Sequence, residues 1–281
     1  MAEWIETFRG SVAPWECDTT EHFTIAYYFD RVDQASTALA EHLSLSGHLN
    51  TGVVPRRFNF RFARELRAGA SFHVESAAIA LDPALRLGHR FVDSASFEAV
   101  TWVEEVWEAV RLSDAERKAA SRLVAAWEGP AIERRPEPSS TAGSLPTARG
   151  RIRPADLDEF GRVTLAAFVH RFTDAVFQAS AAIGMTGDYM KAERRGISTF
   201  EIALRISAMP RLGEPYLVEP GIAHLGSSSV RLLHRMSDPR SGAETARLGQ
   251  FGVQLDLDAR RPAPLPPEIR ERAARLLLPP A

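Results

Sequence analysis

Apolar residues step along the chain at Ile25, Tyr28, Phe29, Val32, Ala35, Leu39 and Leu43, the spacing of one helix face. Asp30, Arg31, Asp33, Gln34 and Glu41 fall mostly elsewhere on that cylinder. The spacing predicts a helix over residues 25–43. Leu165, Phe168, Val169, Phe172, Val176, Ala179 and Ile183 repeat the stripe and predict a second helix. Both stripes are more apolar than a solvated helix needs, so both helices are expected to lie against a sheet. Over residues 53–64 the period changes. Phe58, Phe60 and Phe62 alternate with Arg57, Asn59 and Arg61, which is strand periodicity. Residues 71–81, 85–93 and 97–107 are further strand candidates, separated by turns at Asp82-Pro83 and Asp93-Ser94-Ala95-Ser96. One helix followed by an antiparallel meander makes the class α+β.

The pattern occurs twice. An offset of 140 residues aligns Pro14 with Pro154, Asp18 with Asp158, Thr24 with Thr164, Arg31 with Arg171 and Ala35 with Ala175. Further on, Arg67-Ala68-Gly69 matches Arg211-Leu212-Gly213, and Arg86-Leu87-Gly88-His89-Arg90 matches Arg231-Leu232-Leu233-His234-Arg235. Short charged helices are expected to close each half over 113–127 and 266–278. Matching segments in the same order point to a tandem duplication. Between the copies, Arg134-Arg135-Pro136-Glu137-Pro138-Ser139-Ser140 carries no period and reads as a surface linker. The expected division is 1–128, a linker at 129–148, and 149–281.

Composition narrows the function. The 281 residues are 45% hydrophobic and 25% charged, as in a globular protein with a real core. A net charge of −2 argues against a general nucleic-acid surface. The single cysteine, Cys17, permits no internal disulfide and fits a cytoplasmic setting. Residues 1–10 lack the pattern of a signal peptide, and no apolar run is long enough to span a membrane. No Gly-x-Ser-x-Gly elbow, glycine-rich phosphate loop, His-Glu-x-x-His or Cys-x-x-Cys is present.

An acid-rich turn feeds each long helix. Asp18 and Asp158 stand just before a helix start, where free N–H groups carry partial positive charge. Those amides suit the oxyanion formed when a thioester carbonyl is attacked, and a carboxylate beside them can attack or take a proton from water. Acids at this position also serve as plain helix caps.

The first turn reads Glu16-Cys17-Asp18-Thr19-Thr20-Glu21-His22-Phe23-Thr24, followed by Tyr27 and Tyr28. The second reads Asp156-Leu157-Asp158-Glu159-Phe160-Gly161-Arg162-Val163-Thr164. Both resemble the signature of the hotdog-fold acyl-CoA thioesterases of the 4-hydroxybenzoyl-CoA thioesterase type, roughly acid-x-Asp-x-x-Gly-His-x-Asn before a long helix. The resemblance implies a double hotdog in tandem form, with the halves paired as a pseudo-dimer and further self-association left open. It implies hydrolysis of an acyl-CoA to a free acid and coenzyme A, which enters as substrate. No other cofactor and no metal are expected. It carries the catalytic aspartate onto Asp18 and Asp158, and places the cleft between the halves. The family glycine is Glu21 in the first copy and Gly161 in the second. The histidine is His22 in the first and Arg162 in the second, and the asparagine is Thr24 and Thr164. Asp18 with His22 is therefore the favoured working site, with Asp158 the equivalent in a diverged second one.

Thr24, Tyr27, Tyr28, Gly161, Arg162 and Thr164 are the expected substrate-binding positions. Trp15, Phe23, Tyr27 and Tyr28 suit either an acyl pocket or core packing. Arg56, Arg57, Arg61, Arg64, Arg194 and Arg195 suit either coenzyme A phosphates or a solvated strand face. His89 and His234 recur in the strands, as a structural or a functional pair. Two rival functions remain: an enoyl-thioester hydratase or dehydratase, for which His170 is the nearest candidate, and a non-catalytic acyl-thioester binder.

Overall fold

The computed structural model describes residues 4–18, 21–132 and 135–280. Thr19 and Thr20 of the first acid turn and Arg134 of the linker lie outside the described residues. The first half runs β1 (Ile5–Ser11), α1 (Ile25–His42), α2 (Ser46–Asn50), β2 (Arg56–Phe62), β3 (Ser71–Ala80), β4 (Leu85–Asp93), β5 (Ala99–Trp107) and α3 (Asp114–Ala120). The second runs β6 (Ala148–Arg151), α4 (Leu165–Ile183), α5 (Gly187–Ala192), β7 (Arg195–Ile206), β8 (Pro215–Leu225), β9 (Ser229–Ser237), β10 (Glu244–Asp256), β11 (Arg261–Pro262) and α6 (Pro267–Ala274).

The strands form one antiparallel sheet in the order β1-β3-β4-β5-β2-β7-β10-β9-β8-β6, with β11 on the end of β10. Each half contributes the same five-strand order, read outward from the β2–β7 seam. That seam is antiparallel and pairs Arg56 with Ile206, Phe60 with Ile202 and Arg61 with Glu201. The sheet wraps both long helices, which pack against each other inside it. This is the double hotdog.

The aromatic stripes explain the arrangement. Phe29 on α1 sits with its ring centroid 4.2 Å from Phe60 and 5.8 Å from Phe58, and all three side chains are fully buried. Each buried phenylalanine contributes about 1.5–3 kcal/mol of transfer free energy. On α4, Phe168, Val169 and Phe172, at the positions of Tyr28, Phe29 and Val32, are buried in the same continuous core.

The structure departs from the sequence pattern at the edges. Strands β1 and β6 were not expected from it. Each pairs on one side only, β1 with β3 and β6 with β8, so neither carries the apolar run of a central strand. The closing helices are shorter than 113–127 and 266–278. After α3 a single 3-10 turn ends at Leu123, and Ala125 N–H donates to the Ala78 carbonyl at 2.9 Å. After α6 Leu278 N–H donates to the Ile222 carbonyl at 2.9 Å. In both halves the tail of the closing segment bonds along a strand instead of continuing the helix. No helix among the described residues is long and apolar enough to cross a membrane.

Candidate active site

Both acid turns are built by the same hydrogen bonds. A one-turn 3-10 helix, Pro14–Glu16 or Pro154–Asp156, precedes each of them. Its acid is buried and turns back on the chain: Ala13 N–H donates to Glu16 Oε2 at 3.0 Å, and Arg153 N–H to Asp156 Oδ2 at 2.8 Å. The other carboxylate oxygen takes an arginine from the long helix, Arg31 for Glu16 and Arg171 for Asp156. The carbonyl of the same acid accepts Thr24 N–H in one half and Thr164 N–H in the other, both at 2.9 Å. The arginine therefore locks the turn onto the helix start in each copy.

The aspartates close the next turn. Asp18 N–H donates to the His22 carbonyl at 2.9 Å, and Asp158 N–H to the Arg162 carbonyl at 2.8 Å. The side chains answer in kind: His22 N–H donates to Asp18 Oδ1 at 3.1 Å, and Arg162 N–H to Asp158 Oδ1 at 2.8 Å. The corner residue before each donor is left-handed, Gly161 at φ +74° and Glu21 at φ +64°. The family glycine position thus keeps its backbone geometry in the first copy although a side chain stands there, at a cost of about 1–2 kcal/mol.

The residue at the family histidine position separates the copies. In the second it is Arg162, which closes on Asp158. Its Oδ1 also accepts Phe160 N–H at 2.9 Å, and its Oδ2 takes Arg162 Nε and Nη2, each at 2.7 Å. Arg162 Nη1 donates onward to the Leu49 carbonyl in the first half. Thr164 Oγ1 accepts Ala167 N–H at 3.2 Å and so caps α4.

In the first copy, Asp18 is exposed. His22 Nε2 lies 3.1 Å from Glu65 Oε2 and 3.0 Å from Arg67 Nη2. One ring nitrogen thus faces an anion and a cation. Protonated, it donates to Glu65; bare, it accepts from Arg67. Glu65 Oε1 accepts Ser198 Oγ at 3.0 Å, and Ser198 belongs to β7 of the second half. Thr24 donates its hydroxyl to the Glu16 carbonyl at 2.8 Å, so α1 starts without a side-chain cap on its first amides.

The remaining expected residues separate into two groups. Tyr27 is half-buried, with its ring 6.1 Å from Phe23 and 5.9 Å from His170 of α4, at the crossing of the two halves. Tyr28 is 2% exposed and packs in the core. Its hydroxyl accepts Leu66 N–H at 3.2 Å, and burial pushes its ionisation well above the ordinary tyrosine range. Phe23 is likewise core, whereas Trp15 is 80% exposed. Burial, reinforced by Asp18 and Glu16, raises the Cys17 thiol, which therefore stays protonated. Burial and Arg171 lower His170, which keeps that imidazole neutral.

The six arginines offered for phosphates are all used on acids. Arg56 meets Glu105 at 2.6 Å, Arg57 Glu108 at 2.6 Å and Arg61 Glu201 at 3.3 Å. Arg64 meets Asp93 at 2.9 Å, Arg194 Asp258 at 2.8 Å and Arg195 Asp256 at 2.8 Å. Glu65 and Ser198 carry no periodic or motif signal. The one sequence clue was the mismatch of Glu65 with Met209 in the aligned copy.

Residues 152–273 match the model of the thioesterase-like superfamily. Solved structures share the fold over nearly the whole chain. A putative oleoyl thioesterase from Lactobacillus plantarum superposes with a TM-score of 0.67 at 14% identity, covering 90% of this chain and 98% of its own. The 12:0-ACP thioesterase from Umbellularia californica gives 0.65 at 13% identity, over 88% and 93%. An acyl-ACP thioesterase from Bacteroides thetaiotaomicron VPI-5482 gives 0.64 at 11%, over 87% and 96%. No curated protein matches the sequence.

Proposed function

We propose that the protein hydrolyses an acyl-CoA thioester, and that the working site is the first acid turn. The observation that carries this reading is the contrast between the turns. Asp158 is part-buried and paired with Arg162, whereas Asp18 is exposed and has at the matching position His22, which meets Glu65. The likeness to the thioesterase-like superfamily and to the folds of three thioesterases supports the reaction class.

In this mechanism Asp18 attacks the thioester carbonyl or takes a proton from the attacking water. The oxyanion faces the N-terminus of α1, where Thr24 leaves the first amides uncapped. Collapse of the tetrahedral adduct breaks the carbon–sulfur bond and releases coenzyme A as its thiolate. On the general-base route the free acid leaves directly; on the nucleophilic route water then cleaves the acyl–Asp18 anhydride to free acid and the restored carboxylate. His22, whose Nε2 meets Glu65 and Arg67, relays a proton between site and solvent. A catalytic turn aspartate is what the resemblance of these turns to the 4-hydroxybenzoyl-CoA thioesterase type implies.

The test is an acyl-CoA panel with a thiol reagent, run on the wild type and on Asp18→Asn. Release of free thiol that Asp18→Asn abolishes supports the mechanism. No release above background on any chain length, or full activity in Asp18→Asn, contradicts it.

A further inference from the structure

The arginines in and beside β2 and β7, which suited either phosphates or a solvated face, are paired with acids, yet a different set is not. Strand β6 carries Arg149 and Arg151, and the same alternation continues to Arg153. All three are exposed, and among the described residues none has a salt bridge; Arg151 touches only the Gly213 carbonyl, at 2.9 Å. Between them the chain turns inward at Gly150 and the buried Ile152. Gly150 is needed there, because a Cβ would come within 2.6 Å of Tyr216 Oη.

That close approach leaves a trough of about 520 Å³ along the free edge of the sheet, its floor Tyr216, Pro215 and Pro239 and its rim Arg149 and Arg151. The size is that of a small-molecule site, on the order of 300–1,000 Å³. A mostly apolar floor under a rim of unpaired guanidinium groups suits a ligand with a flat apolar body and phosphates. Arginine forks bind phosphate in pairs and stack on planar rings.

The duplication supplies a control inside the chain. At the 140-residue offset, Arg149 falls on Arg9, which pairs with Glu6, while Arg151 and Arg153 fall on Ser11 and Ala13. The first edge is charge-balanced; the second has gained unbalanced cations next to the acid turn that Arg162 has closed.

We infer that the β6 edge of the second half is a binding site for a phosphorylated nucleoside, so that the half with the closed turn serves for binding and the other for catalysis. The ligand chemistry is shared by the adenosine 3′,5′-bisphosphate end of coenzyme A and by a free nucleotide. In the first case the inference rests on the thioesterase reading and deepens it.

The probe is adenosine 3′,5′-bisphosphate, titrated calorimetrically into the full chain at low and high salt. Arg151→Ser and Arg153→Ala copy the residues of the first half, and Arg149→Ser completes the set on an exposed strand. Saturable binding that weakens with salt, and by about tenfold or more in the triple variant, supports the inference. Absence of binding, equal binding by the triple variant, or competition by inorganic phosphate at the same concentration overturns it and leaves the arginines as edge guards against strand pairing. If the triple variant also raises KM for acyl-CoA but not for the matching acyl-pantetheine, the nucleotide is the substrate's own. If both KM values stay unchanged while the bisphosphate binds, it is a separate ligand. Bisphosphate binding without any thioester turnover upholds this site and defeats the hydrolase reading; the reverse result does the opposite.

Discussion

Arg162 stands where the first copy has His22, and it closes on Asp158 through Nε and Nη2, each 2.7 Å from the same carboxylate oxygen. The pair is a staple between halves, because the same guanidinium also reaches the Leu49 carbonyl. Asp158→Asn keeps the backbone-capping oxygen and loses the charge. It is expected to retain turnover within a few-fold and to cost about 1–2 kcal/mol of stability. Urea unfolding alongside a thiol-release assay reads both.

Glu21 holds a left-handed corner that Gly161 occupies freely in the second copy. Glu21→Gly removes the Cβ conflict at the expense of a looser unfolded chain. The expected net gain is about 0.5–1 kcal/mol, visible as a higher unfolding midpoint. A lower midpoint would mean that the glutamate side chain makes a contact of its own.

Glu65 is the acid that faces His22, and Ser198 holds it from across the seam. Glu65→Gln keeps the Ser198 bond but withdraws the negative charge beside the ring. The expected result is a kcat lower by about 10–100-fold in the thiol-release assay. Ser198→Ala should cost only a few-fold. An unchanged kcat in Glu65→Gln would make that carboxylate a structural group.

How far the sequence reveals the molecule follows from which interactions are local. The apolar stripes of α1 and α4 and the alternation in β2 are properties of single segments, so both helices and the meander can be read directly. The 140-residue offset reaches down to hydrogen bonds, since Glu16 with Arg31 and Asp156 with Arg171 make the same lock. Strands β1 and β6 escape because an edge strand with one partner needs little apolar alternation. Glu65 and Ser198 escape for a different reason: they meet only after β2 and β7 pair, 133 residues apart in the chain. The arginines of β2 show the converse. Their number suggests a ligand site, but the acids that consume them come from β5 and β7 and the turns beyond, which no local pattern reveals.

The recurrent strand histidines have different fates. His89 is fully buried but bonded, to Ser76 at 2.7 Å and to Glu105 at 3.2 Å. His234 faces Pro220 where His89 faces Ser76. Gln250 holds the register position of Glu105 but donates to Thr199 at 2.9 Å. His234 is left with neither ring nitrogen bonded among the described residues, and burial drives its pKa from 6.5 down to about 3. The unfolded chain therefore binds a proton below 6.5 that the folded chain refuses. Stability from this residue is present above 6.5 and is lost as pH falls toward about 3. His234→Leu should flatten that slope and stabilise the fold near pH 5 by about 2 kcal/mol. Urea midpoints across that range check it, and an unchanged slope would show that a bonded partner satisfies the ring.

In Glu105 the balance runs the other way. Burial raises its pKa, but Arg56 and His89 outweigh that and hold it at about 2, below the ordinary 4.5. Its contribution is present above 4.5 and is lost as pH falls through about 2. Glu105→Gln strands the buried Arg56 charge and should cost about 3–5 kcal/mol near neutral pH. A loss under about 1 kcal/mol would show that Asp33 and Ser36 are enough to hold the guanidinium.

The central claim is that one acid turn acts and its duplicate only holds the halves together. The most direct measurement is kcat for Asp18→Asn beside kcat for Asp158→Asn, on whichever acyl-CoA of the panel the wild type turns over fastest. The account requires a fall of about 100-fold or more in the first and a change within a few-fold in the second. Equal losses in both, or a loss confined to Asp158→Asn, would contradict it.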